Sequence, residues 1–259
     1  MTLPPSVERA KAYLDAHLTR TTGGDTSQSG PHEGPFVTIS RESGSGGSTL
    51  ANMLADHLNA ISASAATPSW TVFDQNLVDE VLRNQRLSPQ LARFLPEDKV
   101  SEIEASVREI VGLHPNLWML VQQTNLLIHE LAKHGHAILV GRGANLATAA
   151  LRNGLHLRLV APAGFRAEQM ARRLKVPVAE AAAHNRQVDA QRRDYVRSVF
   201  DSHITEPTAY DLTINVARTT PAALVEMLTP IIQARAAAAE RGRVSPVRES
   251  LPAATPTTV

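Results

Sequence analysis

The sequence predicts an α/β fold in which helices cover both faces of a five-stranded parallel sheet. Three observations support this fold. Short apolar runs recur along the chain, segments of helical periodicity separate them, and a glycine-rich turn joins the first run to a helix. Because ligands of such sheets bind at the carboxyl ends of the strands, residues just past those ends are the first candidates for a functional site.

Five apolar runs are predicted to be the strands, at residues 36–40, 69–73, 137–140, 155–160 and 211–216. Each is short and bounded by turn-forming or polar residues, as buried strands of parallel sheets are. Their separation by helical segments is what favours crossover connections and a parallel sheet.

The helices between and after these strands are predicted at residues 50–58, 116–134, 164–174, 178–200 and 221–238. The whole stretch from 75 to 134 has mostly helical periodicity, and its last part is the clearest. There apolar side chains recur along one face, and Gly135 stands where a C-terminal cap is expected. A further short helix is predicted over residues 6–19.

The composition pattern divides the chain into three regions. Residues 1–34 are predicted to hold the short helix and a flexible linker rich in Gly, Ser and Thr. Residues 35–238 carry the strands and helices of the α/β domain. Residues 239–259 lack apolar periodicity, which predicts a disordered tail.

Composition excludes several classes of function. The 259 residues carry a net charge of +1, which gives no reason to expect nucleic-acid binding. The chain has no cysteine, which excludes disulfides, thiolate catalysis and cysteine-bound zinc. No apolar run reaches the roughly 20 residues of a membrane span, and the N-terminus does not resemble a secretory signal. We therefore expect a cytoplasmic protein without membrane partners; homo-oligomerisation stays open.

The glycine-rich turn after the first strand is the most informative motif. It comprises Ser43, Gly44, Ser45, Gly46, Gly47, Ser48 and Thr49. Glycines let successive backbone N–H groups converge on one anion, and the helix that follows adds its own free N–H groups. A hydroxyl in the first turn can bind Mg²⁺ held by nucleotide phosphates, and Ser48 is placed for that role. The alternative is a Gly/Ser-rich loop without a ligand.

The motif departs from the standard phosphate-binding pattern G-x-x-x-x-G-K-[ST] at two positions. Arg41 stands in place of the first glycine, and Gly47 in place of the lysine. That lysine normally offsets charge on the β- and γ-phosphates during transfer. Arg41 is the nearest cation that could replace it.

Two further polar residues follow predicted strand ends. Asp74 could orient an acceptor or a Mg²⁺-bound water, or it could cap the next helix. Arg142 lies between two glycines, where its guanidinium could bind a phosphate that approaches closely, or it could be a surface arginine in a turn.

An arginine-rich segment from 186 to 197 is predicted to be helical. Arg193 and Arg197 lie one turn apart on one face and could close over a polyphosphate. The alternative is a solvated helix with weak surface ion pairs such as Asp189–Arg193.

The chain resembles the cytidylate-kinase-like branch of P-loop nucleoside monophosphate kinases over residues 35–232. The resemblance rests on five segments in order, at residues 37–47, 73–74, 140–145, 192–195 and 210–212. It implies a P-loop kinase fold with a five-stranded parallel sheet between helices, a helical monophosphate-binding insertion and a small lid. It also implies that the Arg41 start and the missing lysine are usual in this branch.

The resemblance assigns roles to the motif residues. Residues 43–49 would hold the phosphates of ATP, with Mg²⁺ on Ser48. Asp74, Arg142 and Asp194 would bind the acceptor. Arg193, Asp194 and Arg197 match the R-D-x-x-R part of the lid, so Arg41, Arg193 and Arg197 are the expected catalytic residues.

Two functions remain open at this point. The first is ATP- and Mg²⁺-dependent phosphoryl transfer to a nucleoside monophosphate, CMP-like, or to a related small acceptor. The second is a non-catalytic regulatory module that binds a nucleotide through a degenerate P-loop. The missing lysine favours the second function, and the arginines favour the first.

Overall fold

One parallel sheet of five strands organises the protein. The computed structural model describes residue 13 and residues 34–62, 69–74 and 117–244. Its strands run in the order β2-β3-β1-β4-β5, and every neighbouring pair is parallel. The strands are β1 (Phe36–Arg41), β2 (Thr71–Phe73), β3 (Ala137–Val140), β4 (Gly154–Val160) and β5 (Leu212–Asn215). The α/β class and the five-stranded parallel sheet predicted from the sequence are confirmed.

Helices connect the strands and follow the last one. In the described ranges they are α1 (Gly47–Ile61), α2 (Leu117–His134), α3 (Ala144–Ala147), α4 (Ala163–Leu174), α5 (Val178–Phe200) and α6 (Pro221–Val244). Two single 3₁₀ turns, Pro207–Ala209 and Val216–Arg218, flank β5.

The central strand β1 sets the position of the site. It pairs with β3 along Val37–Ile39 and with β4 along its whole length. From β1 the chain first forms β2 and β3 on one side of this strand, and it then forms β4 and β5 on the other side. The connections therefore diverge at the carboxyl end of β1, where a crevice forms in open α/β sheets.

Side chains of β1 alternate between two cores, as the strand period of two requires. Val37 and Ile39 are fully buried against α1 and α6, in a cluster that includes Leu54 and Leu228. Phe36 faces the opposite side, toward α2. Thr38 and Ser40 share that second face, so the sheet has polar atoms near the carboxyl end of β1.

Tyr13 belongs to the core on the α2 side. Its hydroxyl lies 2.6 Å from the carbonyl oxygen of Gly135, to which it donates, and 3.2 Å from that of Leu131. Its ring meets Phe73 edge-on at 5.2 Å, and burial raises the pKa of the phenol. Of the helix predicted over residues 6–19, this helical residue is described and the remainder lies outside the described residues.

The last helix is longer than predicted. The last helix continues to Val244, beyond the predicted end at residue 238. The run Ala236 to Glu240 has high helix propensity, so the helix persists where tertiary apolar periodicity has stopped. The predicted disordered tail was therefore wrong for residues 239–244; the rest of it, like the predicted helical stretch from 75 to 116, lies outside the described residues.

The strands predicted at 69–73 and 211–216 are shorter in the structure. β2 begins at Thr71, and β5 ends at Asn215, whose side chain accepts a hydrogen bond from Ala217 N and starts a 3₁₀ turn. Within the described ranges, none of the helices combines the length and apolarity that crossing a membrane requires.

Candidate active site

The glycine-rich loop connects β1 directly to α1. Gly44 and Gly46 have φ angles of 81° and 80°, in the left-handed region that side chains other than glycine rarely adopt. Gly46 is the N-cap of α1, which begins at Gly47. The loop thus places the free N–H groups at the start of a long helix beside the end of the central strand.

Arg41 lies over Gly47, where the standard pattern has its lysine. A Cβ atom on Gly47 would be 2.9 Å from Arg41 Cγ and 3.2 Å from Arg41 Cβ. The guanidinium continues to Gly141 at the end of β3, where a Cβ atom would overlap Arg41 Nη1. Both glycines therefore leave space that the Arg41 side chain fills.

A cavity of about 280 Å³ opens at the carboxyl ends of β1 and β3. Its walls include Ser40, Arg41 and Arg142, and α5 closes it with Arg192 and Tyr195. The cavity therefore combines three guanidinium groups from three different elements at one place.

The electrostatic state of Arg41 reflects this crowding. Burial lowers the pKa of Arg41 to about 10, and the positive charges of Arg192 and Arg142 also lower it. Asp74 and Asp189 act in the opposite direction. Arg41 stays charged at neutral pH, and the repulsion among the arginines would be relieved by an anion in the cavity.

Arg142 is held in an unusual backbone conformation. Its φ angle is 54°, between Gly141 at 88° and Gly143 at 65°. A Cβ atom on Gly143 would overlap the ring of Phe200, so the turn packs tightly against the end of α5. The guanidinium of Arg142 lies 5.9 Å from the centre of the Tyr195 ring, which orients it along the cavity wall.

Helix α5 contacts the loop as well as the cavity. Arg192 Nη1 donates to the carbonyl oxygen of Arg41 at 3.1 Å, and Asp189 Oδ1 accepts from Ser43 N at 2.7 Å. Burial lowers the pKa of Arg192, the charge of Asp189 opposes this effect, and Arg173 adds to it. These contacts fix the face that α5 turns toward the site.

Ser40 links the cavity wall to a further buried arginine. Arg158 on β4 is 7% exposed; its Nη1 donates to Ser40 Oγ at 3.1 Å, and its guanidinium stacks 5.7 Å from the Tyr210 ring. The Tyr210 hydroxyl donates to the carbonyl oxygen of Ile204 at 2.9 Å and lies 3.3 Å from Ser40 Oγ. A fourth guanidinium therefore lies just behind the cavity wall.

The predicted loop residues and Asp74 lie around this site. Ser43, Ser45 and Gly47 are buried in the loop, whereas Ser48 and Thr49 are exposed in the first turn of α1. Asp74 follows β2 directly and is half-buried, close enough to Arg41 to act on its charge. Arg41 and Arg142, both singled out from the sequence, line the cavity.

The predicted lid residues Arg193, Asp194 and Arg197 are not brought to the cavity. All three are exposed on the outer side of α5. Successive residues of a helix point about 100° apart, so when Arg192 faces the cavity its neighbour Arg193 cannot, and Arg197 follows Arg193 one turn later. In this arrangement of α5 the three lie away from the cavity, so the catalytic roles expected for Arg193 and Arg197 and the acceptor contact expected for Asp194 stay predictions.

The residues that sequence reasoning missed are Asp189, Arg192 and Arg158. A signal for Arg192 was present: Val188 and Val196 bracket it at helical spacing and mark the buried face of α5. No comparable signal pointed to Arg158, whose importance comes from its cross-strand position opposite Ser40.

Comparison with known proteins agrees with this geometry. A sequence model described as the cytidylate kinase-like family matches residues 36–218, from β1 through the turn after β5. The chain belongs to the cytidylate kinase-like family. The matched region contains the glycine-rich loop, the cavity and α5, so the family assignment covers the whole candidate site. Among curated proteins, none shows significant similarity to the chain.

A solved structure supports the fold. The crystal structure of an uncharacterized protein from Eubacterium ventriosum ATCC 27560 aligns with a TM-score of 0.56 at 18% sequence identity. The alignment covers 77% of this chain and 98% of that one. At this identity the likeness concerns the fold alone. Membership of the cytidylate kinase-like family indicates a kinase-like enzyme that binds nucleotides.

Proposed function

We propose that the protein transfers the γ-phosphoryl group of ATP, with Mg²⁺, to a nucleoside monophosphate or a closely related phosphorylated acceptor. One observation carries the proposal: Arg41, Arg142 and Arg192 converge on a cavity beside a glycine-rich loop that opens a helix. Phosphoryl transfer asks a protein mainly to position two anions and offset their charge, and this arrangement supplies both.

The loop and the cavity suit the two substrates separately. Backbone N–H groups at the start of α1, residues 46–49, would bind the donor phosphates, whereas Ser43 N and Ser45 N donate to Asp189 and to Glu42. The cavity would take the phosphate of the acceptor, whose charge the three guanidinium groups match. An acceptor oxygen then attacks the γ-phosphorus, the bond from that phosphorus to the bridging oxygen breaks, and ADP leaves with the bond electrons.

Arg41 has the central role in this proposal. Its side chain starts beside the loop and ends against Gly141 at the cavity, so it spans the space between donor and acceptor. A charged group there offsets the negative charge of both phosphates, which is the contribution the P-loop lysine makes elsewhere.

The residues near the loop are compatible with Mg²⁺. Ser48 is exposed in the first turn of α1, so its hydroxyl is accessible, and the half-buried Asp74, which acts on the charge of Arg41, offers a carboxylate. Hydroxyl and carboxylate oxygens are the ligands that Mg²⁺ uses beside phosphates. When bound, the ion would supply further neutralisation of the donor phosphates.

The test is Mg²⁺-dependent formation of ADP from ATP with a panel of nucleoside monophosphates led by CMP and dCMP. We expect one acceptor to stimulate ADP formation strongly. Arg41→Ala should lower turnover with that acceptor by about 100-fold or more, because charge stabilisation in the transition state is lost. The exposed Arg172, replaced by Ala, is the matched control and should behave as wild type.

A second candidate is the non-catalytic nucleotide-binding module, which the glycine at position 47 favours. It predicts ATP-dependent thermal stabilisation without acceptor-stimulated ADP formation. Turnover by the wild-type protein with any acceptor of the panel would exclude it.

A further inference from the structure

The glycine-rich loop is held from outside by four charged side chains, which we call the loop clamp: Glu42, Arg166, Asp189 and Arg192. Asp189 is its centre. One carboxylate oxygen accepts from Ser43 N at 2.7 Å, and the other accepts from Arg166 Nη1 at 2.7 Å. A side chain of α5 thus binds the backbone of the loop through a charge-assisted hydrogen bond.

Arg166 fastens the same loop from α4. Its Nη1 also donates to the carbonyl oxygen of Ser43 at 3.0 Å, so the N–H and C=O groups of one loop residue are both engaged. Its Nε lies 3.2 Å from Glu42 Oε2. A Cβ atom on Gly44 would overlap the carbonyl oxygen of Arg166, so helix and loop backbones are in direct contact.

The loop clamp continues into the cavity through Arg192. Asp189 Oδ1 lies 3.6 Å from Arg192 Nη1, one helical turn further along α5. Arg192 Nη1 in turn donates to the carbonyl oxygen of Arg41 at 3.1 Å. The Asp189 carboxylate therefore contacts both the loop and Arg192. Arg192 in turn contacts the backbone of Arg41, the second cavity arginine.

The central ion pair of the loop clamp, Arg166–Asp189, is shielded from water, so it is not a loose surface pair. The side chains of Arg166 and Asp189 are only 13% and 14% exposed. An ion pair with this burial keeps a fixed geometry, and loss of one partner leaves the other charge uncompensated.

We propose that Asp189 is a positioning residue that locks α5 to the glycine-rich loop and so keeps Arg41 and Arg192 aligned over the cavity. The proposal rests on the proposed function for its catalytic consequence. Its structural part, the immobilised loop, is independent of any activity. Asp189 acts through Ser43 and Arg192 and needs no contact with a substrate.

The experiment compares Asp189→Asn with Glu180→Gln, which also removes one carboxylate charge, at an exposed position of the same helix. Hydrogen exchange of the loop amides, residues 42–46, is measured first. We expect exchange at the loop to rise about 10-fold or more in Asp189→Asn and to stay at the wild-type rate in Glu180→Gln. Asp189→Glu keeps the charge, and its loop exchange rate should lie between those of the other two variants. It also replaces Asp189→Asn in the test if that variant does not fold.

Kinetics give the second readout. Misplacement of Arg41 and Arg192 should lower kcat about 10- to 100-fold, with a smaller change in the KM for ATP. A merely structural role would lower the unfolding midpoint and leave kcat and KM of the folded variant unchanged. That result, or wild-type exchange in the loop of Asp189→Asn, overturns the proposal.

The two proposals fail in different ways. If the wild-type protein forms no ADP with any acceptor, the proposed function fails, while faster loop exchange in Asp189→Asn still supports the loop clamp. If the wild-type protein is active and Asp189→Asn matches Glu180→Gln in both readouts, the loop clamp fails alone.

Discussion

At the scale of single residues, the position of one side chain explains the departure from the usual phosphate-binding motif. Gly47 is in ordinary helical backbone, so no conformational requirement selects glycine there. What selects it is space, because the Arg41 chain passes within van der Waals distance of the missing Cβ. The glycine is therefore part of the Arg41 site.

This geometry predicts that restoring the standard lysine does harm. Gly47→Lys should lower turnover about 10-fold or more, because its Cβ would lie 2.9 Å from Arg41 Cγ and push the guanidinium away from Gly141. Steady-state ADP formation measures the effect.

Gly164→Lys is the matched control, since a Cβ atom there meets nothing within 4 Å, and it should leave turnover unchanged. A Gly47→Lys enzyme as fast as or faster than wild type would mean that Arg41 does not occupy the position of the lysine during catalysis.

At this scale, the sequence indicated some of the residues of the candidate site and missed others. The sequence indicated Arg41 and Arg142 because each follows a strand end, a rule that depends only on topology. It did not reveal Arg158 or Asp189, because their roles depend on cross-strand register and on how one helix rotates about its axis. Neither quantity can be obtained from a motif alone.

At the scale of elements, the rotation of α5 decides which arginine lines the cavity. Val188, Arg192 and Val196 line the cavity, and Arg193 and Arg197 share the exposed face. The run of arginines in the sequence offers several candidates, and the packing of two valines selects among them.

The pair Arg192→Ala and Arg193→Ala tests this selection. We expect Arg192→Ala to lower turnover about 100-fold, since a guanidinium of the cavity is removed, and Arg193→Ala to stay within about 3-fold of wild type. The two variants make the same change at adjacent positions, so each is the control for the other. The assignment fails if Arg193→Ala has the larger effect, which would mean that α5 turns its outer face inward with substrates bound.

Elements were predicted better than their ends. The sheet, its parallel strands and the helices after β1, β4 and β5 followed from apolar periodicity, which is a property of many residues at once. The end of α6 did not, because helix propensity of an alanine-rich run carries the helix past its last apolar contacts.

At the scale of the whole molecule, the sheet also contains a titratable group away from the cavity. His156 on β4 packs edge-on against Phe36, and its Nδ1 lies 2.8 Å from Thr38 Oγ1. Burial lowers the pKa of His156; Asp211 opposes this effect, and Arg235 adds to it. The folded protein therefore holds this imidazole neutral at pH values where an exposed imidazole takes up a proton.

The sign of the pH effect follows from this shift. As the pH falls below about 6.5, the unfolded chain binds a proton at this histidine before the folded chain does, so the free energy of unfolding decreases. The decrease continues down to the folded pKa and then stops. Urea unfolding between about pH 7.5 and 5 should show a steeper loss of stability in wild type than in His156→Gln.

His184→Gln, at an exposed histidine of α5, should keep the wild-type slope. Equal slopes for wild type and His156→Gln would show that burial of this imidazole does not contribute to the pH dependence.

The Arg41–Gly47 contact also bears on how related sequences can vary. The two positions share room for one long cationic side chain, so an arginine at the first requires a glycine at the second, and a lysine at the second requires a small residue at the first. Either pair of residues is compatible with a working loop. A sequence with arginine at the first position and lysine at the second would be overcrowded, and a sequence with neither cation would lack the positive charge. Homologues should therefore exchange the two positions together, and a lineage that changes one of them is expected to pass through a weakened enzyme.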